Sequence, residues 1–316
     1  MNAAVLGWSG RVDLPEGPAT RRWHQWVREP TAGSTPGVAV LGFASDEGVR
    51  RNGGRAGAAE GPAALRKMLS NLPLLDDTPL YDAGDVAVAG DDLEGAQMAY
   101  ARKLAALLDA GHLPVGLGGG HEIAFATYQG LALHLGERRP RVAIVNFDAH
   151  FDLRKQDRGS SGTPFLQAIE HAAARGLPLD YCVLGISASA NTRVLFDTAD
   201  RLGVYYVRDD ELGLLDLPAR IAQLQARLAE VDAVYLTICL DALPHAMAPG
   251  VSAPSARGVP LEVVEPLLDA IVATGKLRVM DVAELSPPLD RDNVTARVAA
   301  RLIHRVVHAA RAGAAG

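Results

Sequence analysis

Apolar residues in this chain come in short unbroken runs, at residues 38–42, 113–117, 142–145, 181–185, 234–238 and 277–280. Runs of that length without polar alternation predict strands covered on both faces. Between them lie stretches whose apolar residues recur every three or four positions. Ala96, Tyr100, Leu104, Leu107 and Leu108 do so within 93–110, and Val294, Val298, Leu302, Ile303, Val306 and Val307 within 292–310. That spacing predicts helices with one buried face. Strands alternating with helices imply βαβ units, a mostly parallel sheet and helices on both of its sides.

Residues 1–35 break this rhythm. They are rich in Trp, Arg, Pro and Gly without periodicity, and predict an N-terminal arm laid on the domain or on a neighbouring subunit. With 316 residues, 48% of them hydrophobic and 22% charged, the chain suffices for one large α/β domain spanning 1–316.

Net charge adds an exclusion. At −6, with no basic cluster, the chain lacks the electrostatic footprint of a nucleic-acid binder, and small molecules are the expected partners. No apolar stretch approaches the ~18 residues of a membrane span, and no signal-like N-terminus is present. The two cysteines, Cys182 and Cys239, both sit in apolar runs, which argues against a disulfide framework. Cytoplasmic residence follows as the expectation.

Chemistry enters at the ends of the predicted strands, where open α/β sheets bind ligands. After the run at 142–145 come Asp148, His150 and Asp152, three ligand-type side chains at every second position. In an extended backbone these project to one side and converge. After 113–117 come Gly118, Gly119 and Gly120, whose turn brings His121 to the same mouth. The spacing there is not that of a dinucleotide fingerprint. After 234–238, Thr237, Cys239 and Asp241 share a side by alternation. As a thiolate, Cys239 suits zinc or ferrous iron better than manganese. Glu284, past the last strand and ahead of a terminating proline, is a candidate general acid or a capping carboxylate.

Taken in order, Gly-Gly-Gly-His121, Asp148-Ala-His150-Phe-Asp152, the 237–241 strand end and Val282-Ala-Glu284 resemble the signature regions of the ureohydrolase family, which includes arginase, agmatinase and formimidoylglutamase. The resemblance spans roughly 36–310. Finer segments look like the formimidoylglutamase branch: 48–57 (Gly-Val-Arg-Arg-Asn-Gly-Gly-Arg-Ala-Gly), Asp152-Leu-Arg154, 160–164 (Ser-Ser-Gly-Thr-Pro) and 248–254 (Ala-Pro-Gly-Val-Ser-Ala-Pro).

The resemblance implies an arginase-like three-layer α/β/α fold with about eight strands, a two-manganese centre and assembly into homo-oligomers. It places His121, Asp148, Asp152 and Cys239 on one ion, and Asp148, His150, Cys239 and Asp241 on the other. Position 239 is normally an aspartate in the family, so Zn2+ or Fe2+ is a further expectation there. The implied reaction is hydrolysis of N-formimidoyl-L-glutamate to L-glutamate and formamide, by attack of hydroxide generated at the metal centre, with Glu284 and His150 as catalytic residues. Two other readings stay open: a hydrolase of a guanidino acid or other amidine, and a metal-poor, catalytically silent homologue.

An anionic amidine substrate calls for arginine. Arg154 lies two residues beyond Asp152, with Arg50, Arg51, Arg55 and Arg257 in predicted loops. Arg154 is the first expected substrate contact, with Ser161 and Asn191 as polar partners.

Overall fold

The structure, a computed structural model, describes residues 7–13 and 17–312, and the side chains among them up to residue 310. Eight strands form its sheet: β1 (Val38–Ala44), β2 (Leu80–Ala87), β3 (Leu113–Leu117), β4 (Val142–Phe147), β5 (Leu179–Ile186), β6 (Tyr205–Arg208), β7 (Ala233–Cys239) and β8 (Leu277–Ala283). The early helices are α1 (Trp23–Trp26), α2 (Glu47–Arg51), α3 (Gly61–Leu69), α4 (Leu93–Asp109) and α5 (Ile123–Leu135). They are followed by α6 (Pro164–Arg175), α7 (Arg193–Leu202), α8 (Leu217–Ala229), α9 (Leu261–Val272) and α10 (Val294–Ala312).

All strand pairs are parallel, in the order β2-β1-β3-β8-β7-β4-β5-β6. Alternate residues of each central strand enter opposite cores. On β1, Val38 and Val40 join α3, α8, α9 and α10, whereas Ala39, Leu41 and Phe43 join α4, α5, α6 and α7. The predicted three-layer α/β/α architecture with eight parallel strands is therefore what forms, because six strands are apolar toward both sides.

The six predicted runs correspond to β1, β3, β4, β5, β7 and β8. The pattern missed β2 and β6, which are the two sheet edges. β2 carries Asp82 and Asp85 and exposes Gly84, Asp85 and Ala87, and β6 buries only Val207 fully. An edge strand has one neighbour and partial cover, so its sequence need not be continuously apolar.

Of the predicted arm, residues 1–6 and 14–16 lie outside the described residues. The remainder lies against the β2 edge and α10. Trp8 stacks on the buried Trp23 and donates from Nε1 to Asp82 Oδ2 at 2.6 Å, while Trp26 donates to the Thr78 carbonyl at 2.8 Å. Trp23 also meets His304 of α10, with ring centroids 6.1 Å apart.

Four neighbouring strands, β3, β8, β7 and β4, occupy the middle of the sheet. In spatial order they are the third, eighth, seventh and fourth strands of the chain, so segments far apart in sequence end side by side at the carboxyl mouth. His121, Glu284, Asp241 and Asp148 follow these four strands.

Candidate active site

The segment after β3 is built by close backbone approach. Gly118, Gly119 and Gly120 donate their N–H groups to the carbonyls of Val282, Phe43 and Ser45, at 2.8, 2.9 and 2.9 Å. A Cβ at Gly119 would collide with the Ser45 carbonyl, so glycine is required there. This places His121 at the mouth. Its Nε2 lies 3.1 Å from Thr237 Oγ1, and its Nδ1 faces Asp148 Oδ2 at 3.0 Å and Asp152 Oδ2 at 3.1 Å.

Strand β4 stops at Phe147, and residues 148–152 lie beyond it, with a bend at 149–150. The expected alternation along a strand is corrected here: convergence is produced by a turn. The His150 N–H donates to Asp148 Oδ1 at 2.8 Å, and Asp152 takes a left-handed conformation with φ 49°. That conformation is costly for a residue with a side chain and persists only where its surroundings impose it. The turn sends His150 Nδ1 to 3.2 Å from Asp241 Oδ2. Asp241 likewise lies past its strand, in a short 3-10 turn at Leu240–Ala242, while Thr237 and Cys239 share a face of β7.

Two sets of potential ligand atoms result, His121, Asp148 and Cys239, and Asp148, His150 and Asp241, each within a 4.8 Å span. Asp148 belongs to both. His121 Nδ1 is buried without hydrogen-bond geometry to any partner, although two carboxylates flank it. A buried imidazole nitrogen aimed between carboxylates requires a positive charge there, from a proton or from a cation. The donor set of carboxylate, imidazole and thiol, with one carboxylate common to two clusters, fits a pair of divalent ions.

The electrostatics agree. Burial opposes ionisation of Asp148, but His121 and His150 outweigh it and hold its carboxyl below the usual range. Burial and the Asp148 charge push Asp152 up to about 6. Burial, then Asp148, Asp241 and Glu284, push the Cys239 thiol well above its ordinary value, so it keeps its proton unless a cation displaces it.

Glu284 sits one residue past β8 with φ 73°. Its Oε1 accepts the His121 backbone N–H at 2.7 Å, and burial together with the Asp241 and Glu122 charges pushes its carboxyl up to about 8.

These side chains open into a cavity of about 410 Å³, lined also by Asn52, Gly53, Gly54, Arg55, Arg154, Ser161, Asn191 and Ser252. The six expected metal ligands, Glu284, Arg154, Ser161 and Asn191 thus meet at one place: Asp148 lies fully buried among the ligand-type groups, and the others reach the cavity. Arg154 is exposed at the rim, and Ser161 Oγ accepts from Asn52 Nδ2 at 3.3 Å. The Asn191 amide is held by backbone: Nδ2 donates to Ala149 O at 2.8 Å and Ser187 O at 2.9 Å, while Oδ1 accepts from the Phe151 N–H at 3.1 Å. Asn191 thereby braces the turn that carries His150.

Several expected loop arginines serve elsewhere. Arg50 pairs with Asp46 and Glu47, Arg51 with Glu47 and Glu94, and Arg257 donates to the Asp209 carbonyl. Sequence reasoning passed over Asn52 and Glu122. Glu122 is fully buried beside His121, and its Oε1 accepts from Ser45 Oγ at 2.8 Å and Gly48 N at 3.0 Å. The one available signal was the acid following His121 in a chain segment otherwise apolar.

Comparison with known proteins bears on this arrangement. Residues 36–309 match the model of the arginase family. A formimidoylglutamase of Ralstonia nicotianae is 58% identical over 305 residues, covering 95% of this chain and 94% of that protein. One from Aeromonas hydrophila is 52% identical over 303 residues, covering 95% and 96%. Among solved structures, formimidoylglutamase from Bacillus subtilis matches with a TM-score of 0.84 over 96% of this chain and 95% of that one; at 21% identity this is a likeness of fold. Trypanosoma cruzi formiminoglutamase, solved with manganese, matches with a TM-score of 0.76 at 26% identity, covering 87% and 93%.

Proposed function

The chain belongs to the arginase family, and from that premise we infer that it is a metal-dependent hydrolase converting N-formimidoyl-L-glutamate to L-glutamate and formamide. The observation that carries the reading is identity of 50–58% over nearly the whole length with proteins named formimidoylglutamase. A guanidino-acid hydrolase and a silent homologue are not favoured by it.

The residues fit two divalent ions, with manganese the family's metal. His121, Asp148, Asp152 and Cys239 would hold one, and Asp148, His150, Cys239 and Asp241 the other. Bound there, the ions supply Lewis acidity and a hydroxide nucleophile at neutral pH.

The chain's own groups perform the rest. Asp148 and Asp152 orient His121, and Asn191 fixes the turn that presents His150. Glu284 uses Oε1 on the His121 N–H and keeps a proton near neutrality, so Oε2 is suited to hydrogen-bond the amidine and to protonate the departing glutamate nitrogen. His150 is partly open to the same cavity, where it would reach the bound substrate. Arg154, with Ser161 beside it, receives a substrate carboxylate as a guanidinium fork.

Among the described residues no helix is long and apolar enough to cross a membrane. We take the enzyme to be cytoplasmic and homo-oligomeric, in keeping with two free buried cysteines and with the family resemblance.

Metal content, measured by elemental analysis before and after manganese incubation, tests the reading when formamide release from N-formimidoyl-L-glutamate is assayed on the same samples. Two ions with turnover support it; two ions without turnover on this substrate refute the assignment.

A further inference from the structure

Helix α2 and the residues after it form an arch over the cavity, tied at both feet. At the root, Glu122 Oε1 holds the Gly48 N–H at 3.0 Å. Toward the β4 side, Arg51 Nη1 donates to the Gly159 carbonyl at 2.9 Å and Asn52 Nδ2 to Ser161 Oγ at 3.3 Å. Toward the β8 side, the Arg55 N–H donates to Ser252 Oγ at 2.8 Å. The Arg55 side chain is docked too: Nε donates to Ser252 O at 2.9 Å and Nη2 to Val251 O at 2.7 Å.

These bonds occupy the Nε/Nη2 edge of the Arg55 guanidinium and leave Nη1 and the second Nη2 hydrogen without a protein acceptor among the described residues. No carboxylate neutralises it. Among the described residues neither Arg55 nor Arg154 forms an ion pair, although Arg50, Arg51 and Arg158 around them do. Both arginines, unpaired among the described residues, line the same cavity, Arg154 on the wall carried by β4 and Arg55 on the wall beside residues 251–252.

We propose that Arg55 is a second carboxylate receptor of this site, so that Arg154 and Arg55 each hold one of the two carboxylates of formimidoylglutamate and set specificity for a dicarboxylate. The proposal rests on the substrate reading above. A guanidinium pre-positioned by backbone carbonyls, with its outer fork free, loses little freedom on binding and matches a carboxylate bidentately. A substrate with one acidic group leaves one guanidinium unpaired.

The test compares N-formimidoyl-L-glutamate with two analogues, N-formimidoyl-L-2-aminobutyrate, which lacks the side-chain carboxylate, and N-formimidoyl-4-aminobutyrate, which lacks the α-carboxylate. Manganese-loaded wild type, Arg55→Ala, Arg55→Lys and Arg154→Ala are assayed, with melting temperature and metal content as controls for folding. Arg55→Ala should raise KM for the parent substrate roughly ten- to hundredfold, with kcat little changed. That penalty should vanish with one analogue and persist with the other, and Arg154→Ala should show the opposite pairing. Arg55→Lys, which keeps the charge but not the fork, should fall between. Equal losses on all three substrates, or no loss on the parent, would overturn the proposal. Binding of L-glutamate, measured by calorimetry, separates it from the substrate reading. If wild type hydrolyses none of the three compounds, that reading fails, and the clamp then stands only if glutamate binds and Arg55→Ala weakens it.

Discussion

The backbone N–H of His121 donates to Oε1 of Glu284 at 2.7 Å, and the Glu284 N–H donates back to the Gly119 carbonyl at 2.8 Å. Two residues 163 positions apart are thus stitched together across the β3 and β8 mouths. The reciprocal pair explains how a carboxylate with φ 73° is held in place beside a candidate metal ligand.

Glu284→Gln keeps the carbonyl acceptor for the His121 N–H and removes the transferable proton. We expect folding and metal content to be retained and kcat to fall by about 10²- to 10⁴-fold. Steady-state kinetics with elemental analysis of the same preparation checks this, and near wild-type kcat would remove Glu284 from proton transfer.

Thr237 gives His121 its other contact, Nε2 to Oγ1 at 3.1 Å, and so orients the ring with Nδ1 toward Asp148 and Asp152. Removing such a partner of a ligating histidine typically weakens metal binding about 10- to 100-fold. Thr237→Val, which preserves shape, should weaken manganese binding by that order in a competition titration against a chelating dye. Unchanged affinity would reduce Thr237 to packing.

Cys239 is buried and its thiol is pushed well above its ordinary pKa, by burial and then by the Asp148, Asp241 and Glu284 charges. Coordination through sulfur therefore requires a cation able to displace the proton, and softer ions do so more readily than manganese. Cys239→Asp should tighten manganese binding and lower the preference for zinc over manganese. Parallel titrations of both ions into wild type and variant decide it; an unchanged preference would show that position 239 does not reach the metals.

Glu122 yields a pH prediction. Burial is the main cause that raises its carboxyl from 4.5 to about 7. A folded-state pKa above the unfolded one means a stabilising contribution that is fully present below about pH 4.5 and is lost as pH rises through about 7. The loss is on the order of 3 kcal/mol. Glu122→Gln keeps an acceptor for Ser45 and Gly48 and cannot ionise, so metal-free variant protein should lose less stability than wild type between pH 5 and pH 8. Urea unfolding midpoints at both pH values measure this, and parallel profiles would mean that Glu122 does not titrate there.

The chain advertised its interior plainly. Runs such as 142–145 and 234–238 are apolar at every position because β4 and β7 are covered by helices on both sides, and no other environment tolerates that pattern so well. The same logic failed at β2 and β6, whose half-open edges admit Asp82, Asp85 and partly exposed tyrosines. Ligand-type residues were legible because each lies at or just beyond the carboxyl end of an apolar run.

Residue types at strand ends, the α/β class and the family resemblance are matters of local pattern and are legible in the chain without its fold. Tertiary structure alone decided that β3, β8, β7 and β4 lie side by side, that 148–152 turns so that Asp152 takes φ 49°, and that the Asn191 amide braces backbone. It also decided which arginines stay unpaired: Arg50 and Arg51 find carboxylates, Arg55 finds carbonyls, and nothing in the run 48–57 distinguishes them. The physical reason is that periodicity reports whether a residue is covered, whereas partner identity depends on non-local strand order and backbone hydrogen bonds that leave no local trace.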